Sequence, residues 1–168
     1  SNYGHWEYFF ENGVKNMEGT VNGKNKEGEW KIYYESGELR ETGSYIANKR
    51  TGIWHTYFED GTLRGEIEYA DDHGRFTEYY HDGKVFAEGP RAGSRNVGYW
   101  RFFADDGTLQ SEGEYNNGSK SGTWTNYFPS GKKSAEGTYE NDIPVGAWTY
   151  YFEDGAVSSS GTFISGKK

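Results

Sequence analysis

The chain has 168 residues, enough for one domain, with a formal net charge of -8, 33% hydrophobic residues and a mean hydropathy of -1.02. What it can bury is largely aromatic, with 6 Trp, 15 Tyr and 10 Phe, while 25 Gly and 3 Pro exclude collagen-like and proline-rich classes. The acidic balance disfavours a nucleic-acid backbone or an anionic lipid surface as partner, the absence of Cys removes disulfides and thiolate chemistry, and no apolar run reaches the length of a membrane span.

In chain order, one motif recurs seven times. The repeats open at Gly4, Gly28, Gly52, Gly74, Gly98, Gly122 and Gly146, spaced by 24 residues except for 22 between the third and fourth. A fixed period in this range signals a single array, residues 1–168, in which each repeat needs its neighbours to bury a face. With the opening Gly as position 0, each repeat predicts a leading strand, a turn at positions 8 and 9, and a returning strand. The turn dipeptide is Asn-Gly, Ser-Gly or Asp-Gly in every repeat, which predicts a two-residue hairpin loop with left-handed backbone at both positions. Residues whose positions sum to 17 then face each other. Position 2, Trp6, Trp30, Trp54, Phe76, Trp100, Trp124 and Trp148, opposes position 15, which is Gly in six repeats. The expectation is an aromatic ring covering the Gly across its own hairpin, and a Tyr at position 17 filling the space above the opening Gly.

Between repeats three and four, "EYADDHG" is two residues short, Ile67 replaces the Gly of position 15, and Phe76 replaces Trp. In repeat four, "EGPRAGSRNVG" puts Pro90 in a strand and Arg91 where Tyr is usual. Proline cannot donate to a ladder, so the strand is expected to bend or leave the sheet, with Arg91 and Arg95 in a loop, either a partner-specific feature or harmless drift that the array tolerates. The last repeat ends at "FISGKK", which reads as the start of another connector and suggests either a fragment of a longer array or ends that associate with other copies. The chain begins at Ser1, with neither Met nor a signal-like segment, which points to a trimmed N-terminus and leans towards an exported protein.

These residues resemble a known family. The pattern G-x-W-x-x-Y-F-x-D-G-x-L-x-x-x-G-x-Y, from Gly4 to Phe163, is similar to the variant MORN repeat of bacterial YwqK-type antitoxins. The resemblance implies an all-β, elongated antiparallel β-meander built from β-hairpin repeats, an open twisted sheet, and a role in binding another protein.

Position 5 is aromatic throughout, as Phe9, Tyr33, Tyr57, Tyr79, Phe103, Tyr127 and Tyr151, although strict alternation puts it on the polar face. This stripe is a candidate for stacking on sugar rings or packing against a protein; equally, cross-strand neighbours such as Arg40 and Arg64 cover it, or a bulge turns it inward. His5, His55, His73 and His81 have no recognised metal-ligand spacing, and the Asp-Gly acids are accounted for by turns, so no metal, cofactor or catalytic residue is expected. Three functions stay open: a non-enzymatic scaffold masking a basic protein such as a toxin, a module binding cell-wall glycan through the stripe, and a structural spacer that self-associates end to end.

Overall fold

The computed structural model describes residues 2–164, so most of the connector expected in "FISGKK" lies outside the described residues. All regular structure in it is β, as the repeat predicts. The chain divides into two compact units, Ser1–Gly83 and Lys84–Lys168. The N-terminal unit contains β1 (Tyr3–Phe9), β2 (Lys15–Asn22), β3 (Asn25–Tyr33), β4 (Leu39–Ile46), β5 (Lys49–Tyr57), β6 (Leu63–Ala70) and β7 (His73–Tyr79). The C-terminal unit contains β8 (Val85–Ala92), the two-residue β9 (Arg95–Asn96), β10 (Gly98–Phe103), β11 (Leu109–Asn116), β12 (Ser119–Tyr127), β13 (Lys133–Glu140), β14 (Ile143–Tyr151) and β15 (Val157–Phe163). Within each unit successive strands pair antiparallel, with β9 on β8 and β10 next in the ladder.

Two kinds of turn alternate, and their assignment corrects the two-residue loop expected at positions 8 and 9. In the first repeat the Phe10 N–H donates to the Val14 carbonyl at 2.8 Å and the Gly13 N–H to the Phe10 carbonyl at 2.9 Å. That is the pattern of a three-residue loop, a type I turn closed by a left-handed Gly. The same pair of bonds recurs around Gly37, Gly61, Gly107, Gly131 and Gly155. Only the Gly has positive φ; position 8 acts through its side chain, as Asp60 Oδ1 accepts the Thr62 N–H at 2.9 Å and Asp106 Oδ1 the Thr108 N–H at 2.8 Å. The loop shifts the register, so that position 4 pairs with 13 but position 5 with 11. The two-residue turns with left-handed backbone at both positions lie between repeats, at Ala47–Asn48, Asp71–Asp72, Asn117–Gly118 and Asn141–Asp142.

A second irregularity follows the connectors that lead into β3, β5, β12 and β14. Thr20 pairs with Glu27 while Gly19 pairs with Trp30, so Gly28 and Glu29 bulge out of β3. Gly28 sits there at φ 65°, and Gly52, Gly98, Gly122 and Gly146 adopt the same conformation. The space above most of them is empty, so the opening Gly answers to backbone conformation and not to the Tyr expected to fill it. The short third interval is explained in the same terms. β6 and β7 pair without any register shift, Tyr69 with Gly74 and Ile67 with Phe76. The two missing residues are the bulge.

The bulge also redirects the rings. Trp30 does pair by register with Gly43 of its own hairpin, but its ring lies over Gly19 of the preceding repeat, where an added Cβ would come within 2.3 Å of Cδ2. Gly43, Gly89, Gly113 and Gly137 are covered likewise by Trp54, Trp100, Trp124 and Trp148. These five Trp are 0–4% exposed. Burying each contributes about 1.5–3 kcal/mol. Where Ile67 takes the Gly place, Gly65 stands two residues earlier and Phe76 lies over it. Each indole N–H donates to a backbone carbonyl ten residues back, Trp30 to Thr20 at 3.1 Å and Trp54 to Ser44 at 3.0 Å among them. Tyr rings stand edge-on between the indoles, Tyr45 at 5.0 Å from Trp54 and Tyr139 at 5.2 Å from Trp148. Cations close the top, with Arg50 4.1 Å above Trp54 and Lys120 4.3 Å above Trp124.

Candidate functional site

The position-5 stripe lies on the opposite face. Tyr33, Tyr57, Tyr79, Phe103, Tyr127 and Tyr151 are half-buried and Phe9 is exposed. The register shift seats Tyr33 opposite Leu39 and Tyr57 opposite Leu63, in place of the expected Arg40 and Arg64. Three of the hydroxyls reach back to a carboxylate of the preceding repeat: Tyr33 donates to Glu18, Tyr79 to Glu66 at 3.1 Å and Tyr127 to Glu112 at 2.5 Å. The Tyr33 hydroxyl and the Lys15 ammonium hold the Glu18 carboxyl down at about 2, and burial together with Glu18 pushes Tyr33 up to about 12. Lys15 is itself bonded to Glu7 and Glu18. His5, Glu7 and Glu18 bring ligand atoms within 4.8 Å of one another, yet the Lys15 ammonium already occupies the carboxylates.

The seam residues behave differently from expectation. Pro90 stays inside β8, and its carbonyl accepts the Trp100 indole N–H and the Val97 N–H, each at 3.0 Å. The interruption falls on the partner strand, divided into β9 and β10 at Val97. Arg91 and Arg95 are strand residues rather than loop residues: Arg91 bonds Asn96 Oδ1 at 3.0 Å and lies 5.8 Å from the Trp100 ring, and Arg95 bonds Asn117 Oδ1 at 2.9 Å.

A third feature emerges from the turns themselves. Antiparallel pairing sends every three-residue loop of the N-terminal unit to one margin of its sheet, neighbouring loops about 10 Å apart. Glu11, Glu35, Glu38, Glu59, Asp60 and Asp82 are exposed there. Residues 10–14, 34–38 and 58–62 contain no Lys or Arg, whereas the fourth loop, 80–84, ends in Lys84. Behind the acids lie Phe10, Tyr34, Phe58 and Tyr80, half-buried at position 6. Tyr34 is fixed by its hydroxyl on the Tyr57 carbonyl at 2.7 Å; Phe58 stacks on the His81 ring at 3.8 Å, and His81 Nε2 lies 3.2 Å from Asp60. The Thr62 backbone N–H and hydroxyl hold Asp60 below the usual carboxylate range, so it stays ionised. The corresponding loops of the C-terminal unit mix Asp105, Asp106, Glu153 and Asp154 with Lys132 and Pro129. The acidic row suits a Lys- and Arg-rich surface through charge, while the Phe58 ring already has the Arg64 guanidinium 5.7 Å above it. Sequence reasoning assigned the Asp-Gly acids to turns correctly, but did not add them along the margin; the missing Lys and Arg in three successive loops was the available signal.

The family model described as "MORN repeat variant" matches at residues 26–47, 50–71, 72–91, 96–117 and 120–141. Among curated proteins none matches. Among solved structures, a mutant of S. aureus TarM in complex with fondaparinux, alpha-GlcNAc-glycerol and UDP is similar over 56% of this chain and 19% of that one, at 14% identity and a TM-score of 0.40. Another TarM structure is similar over 60% of this chain and 18% of that one, at 13% identity and a TM-score of 0.32. The chain therefore spans less than a fifth of the length of these structures.

Proposed function

The chain belongs to the MORN repeat variant family, and from that premise we propose that this repeat scaffold is a non-enzymatic protein-binding module whose acidic N-terminal margin takes a basic partner. The observation that carries the reading is charge segregation. Ser1–Gly83 holds 16 Asp and Glu against 9 Lys and Arg, whereas Lys84–Lys168 holds 10 against 9. Nearly all the net charge thus lies in one unit, and three of its turn loops, 10–14, 34–38 and 58–62, contain no Lys or Arg. Such a surface steers a basic protein by long-range attraction that salt screens. The resemblance to YwqK-type antitoxins extends the proposal to neutralisation of a basic toxin. The glycan alternative rests on the position-5 stripe and is supported less, because those rings are half-buried and three hydroxyls are already bonded to Glu.

The test is partner capture with the wild-type chain and with a Glu35→Lys, Glu59→Lys, Asp60→Lys variant, followed by titration of the captured protein at low and high salt. A basic protein held by the wild type, lost by the variant and weakened by salt is the expected result. A partner retained equally by the variant, or bound indifferently to salt, refutes the reading.

A further inference from the structure

One ring is missing from the row behind the turn loops. Position 6 is Phe or Tyr in every repeat except the fifth, where it is Ala104. In the second and third repeats that ring leans onto the repeat that follows. The Tyr34 hydroxyl donates to the position-5 carbonyl of the next repeat, that of Tyr57, at 2.7 Å. Phe58 stacks on the position-7 ring of the next repeat, His81, at 3.8 Å, and the position-12 side chain of its own repeat, Arg64, lies 5.7 Å above it. The corresponding residues around Ala104 are Tyr127, Pro129 and Gln110. All three line, together with Ala104 and the half-buried Leu109, one groove of about 260 Å³ inside the C-terminal unit. The groove therefore stands in the seat that a position-6 ring fills elsewhere. Its rim is acidic, with Asp105 and Asp106 exposed; the Thr108 hydroxyl and N–H hold the Asp106 carboxyl below the usual carboxylate range, so it stays ionised. Lys84, whose ammonium bonds the Asp105 carbonyl at 2.8 Å, offsets one of the two charges.

We propose that this groove takes a tyrosine side chain of a partner protein, with a Lys or Arg next to that tyrosine on the acidic rim. The incoming ring restores the contacts that Ala104 forgoes, stacking on the Pro129 ring as Phe58 stacks on His81. A phenol satisfies the seat further than a phenyl, because its hydroxyl reaches the Tyr127 carbonyl as that of Tyr34 reaches Tyr57. The neighbouring cation complements the charge that Lys84 leaves on Asp105 and Asp106. The position-5 stripe runs through all the repeats alike and cannot mark one place along the array, whereas the change at position 6 singles out the fifth repeat. This inference is independent of the basic partner at the N-terminal margin.

Titration of the isotope-labelled full chain with N-acetyl-Tyr-Arg-amide, followed by NMR, tests it, alongside the same peptide with Phe or Ser in place of Tyr. The Tyr peptide is expected to give saturable shifts confined to residues 104–110 and 127–129. The Phe peptide should bind about two- to tenfold more weakly for the lost hydrogen bond, and the Ser peptide roughly tenfold or more weakly for the lost ring. Ala104→Phe gives the fifth repeat the ring that the others carry, and should weaken the Tyr peptide by roughly tenfold or more. Asp105→Asn with Asp106→Asn removes the rim charge and keeps the turn, since Asn12 bonds the Val14 N–H at 3.0 Å in the same way; it should lower the affinity and remove its salt dependence. A Tyr peptide that shifts nothing up to its solubility limit, a Ser peptide that binds as well, or an Ala104→Phe chain that binds like the wild type overturns the proposal. Shifts of the same residues by a methyl glucoside, or by raising the concentration of the chain without peptide, give the groove to a sugar or to a second copy and overturn it equally.

Discussion

At the scale of the residue, glycine plays three parts that a sequence alignment of the repeats merges into one letter. Gly43 makes room for a ring, since a Cβ there would lie 2.2 Å from the Trp54 ring; Gly28 supplies a φ of 65°; Gly161 does neither while nothing covers it. Substitution by Ala separates them. Gly43→Ala is expected to destabilise by about 1–3 kcal/mol through overpacking, Gly28→Ala by about 1–2 kcal/mol through left-handed backbone, and Gly161→Ala by less than about 0.5 kcal/mol. Urea unfolding at low protein concentration measures all three, and equal effects at Gly43 and Gly161 would contradict the ring placement. Glu18 yields a pH prediction. Its folded value of about 2 lies below the ordinary 4.5, so its contribution is present above pH 4.5 and disappears as pH falls towards 2. Glu18→Gln, or Tyr33→Phe, which removes the larger cause, should flatten the stability profile across that window. A variant whose profile runs parallel to that of the wild type would show that the network contributes nothing to acid stability.

Among the elements, the strands, their antiparallel order and the pairing of positions that sum to 17 were legible in the repeat, because large and small residues alternate with a period of two and the turn dipeptides punctuate it. Two features were not. Asp-Gly fits a two-residue loop as well as a type I turn closed by Gly, and only the hydrogen bonds around Phe10 and Gly13 distinguish them. The direction in which Trp30 leans depends on the bulge at Gly28, a backbone event whose sequence mark is one more Gly in a Gly-rich chain. The short interval before Gly74 held the clue, since losing exactly the bulged pair leaves a ladder without a shift. Pro90 shows the converse: its missing N–H was legible, while its effect falls across the ladder at Val97. Of the candidate site residues, the stripe was recognisable as a shared feature of the repeats, and Arg91 and Arg95 were misplaced in a loop. The acidic margin had a sequence mark, loops without Lys or Arg at 10–14, 34–38 and 58–62, but their addition along one margin needed the loops aligned in space.

For the whole molecule, charge is distributed unevenly along a scaffold whose repeats are otherwise alike. Reversing Asp105, Asp106 and Asp154 to Lys in the C-terminal unit should weaken capture of the basic partner far less than reversing Glu35, Glu59 and Asp60, and the wild-type affinity should fall steadily with ionic strength. Binding curves for the two triple variants against the captured protein decide the point; equal losses would mean that overall charge, and not the N-terminal margin, governs recognition. The ring over the preceding glycine has a consequence of another kind. Each repeat in the gene encodes the lid for its predecessor and the seat for its successor, so the inherited module and the packed module are out of step. Recombination between two regular repeats that adds or removes a whole period, wherever its breakpoints fall within them, restores every lid to a seat. An array built in this way can change its copy number without a new interface having to evolve.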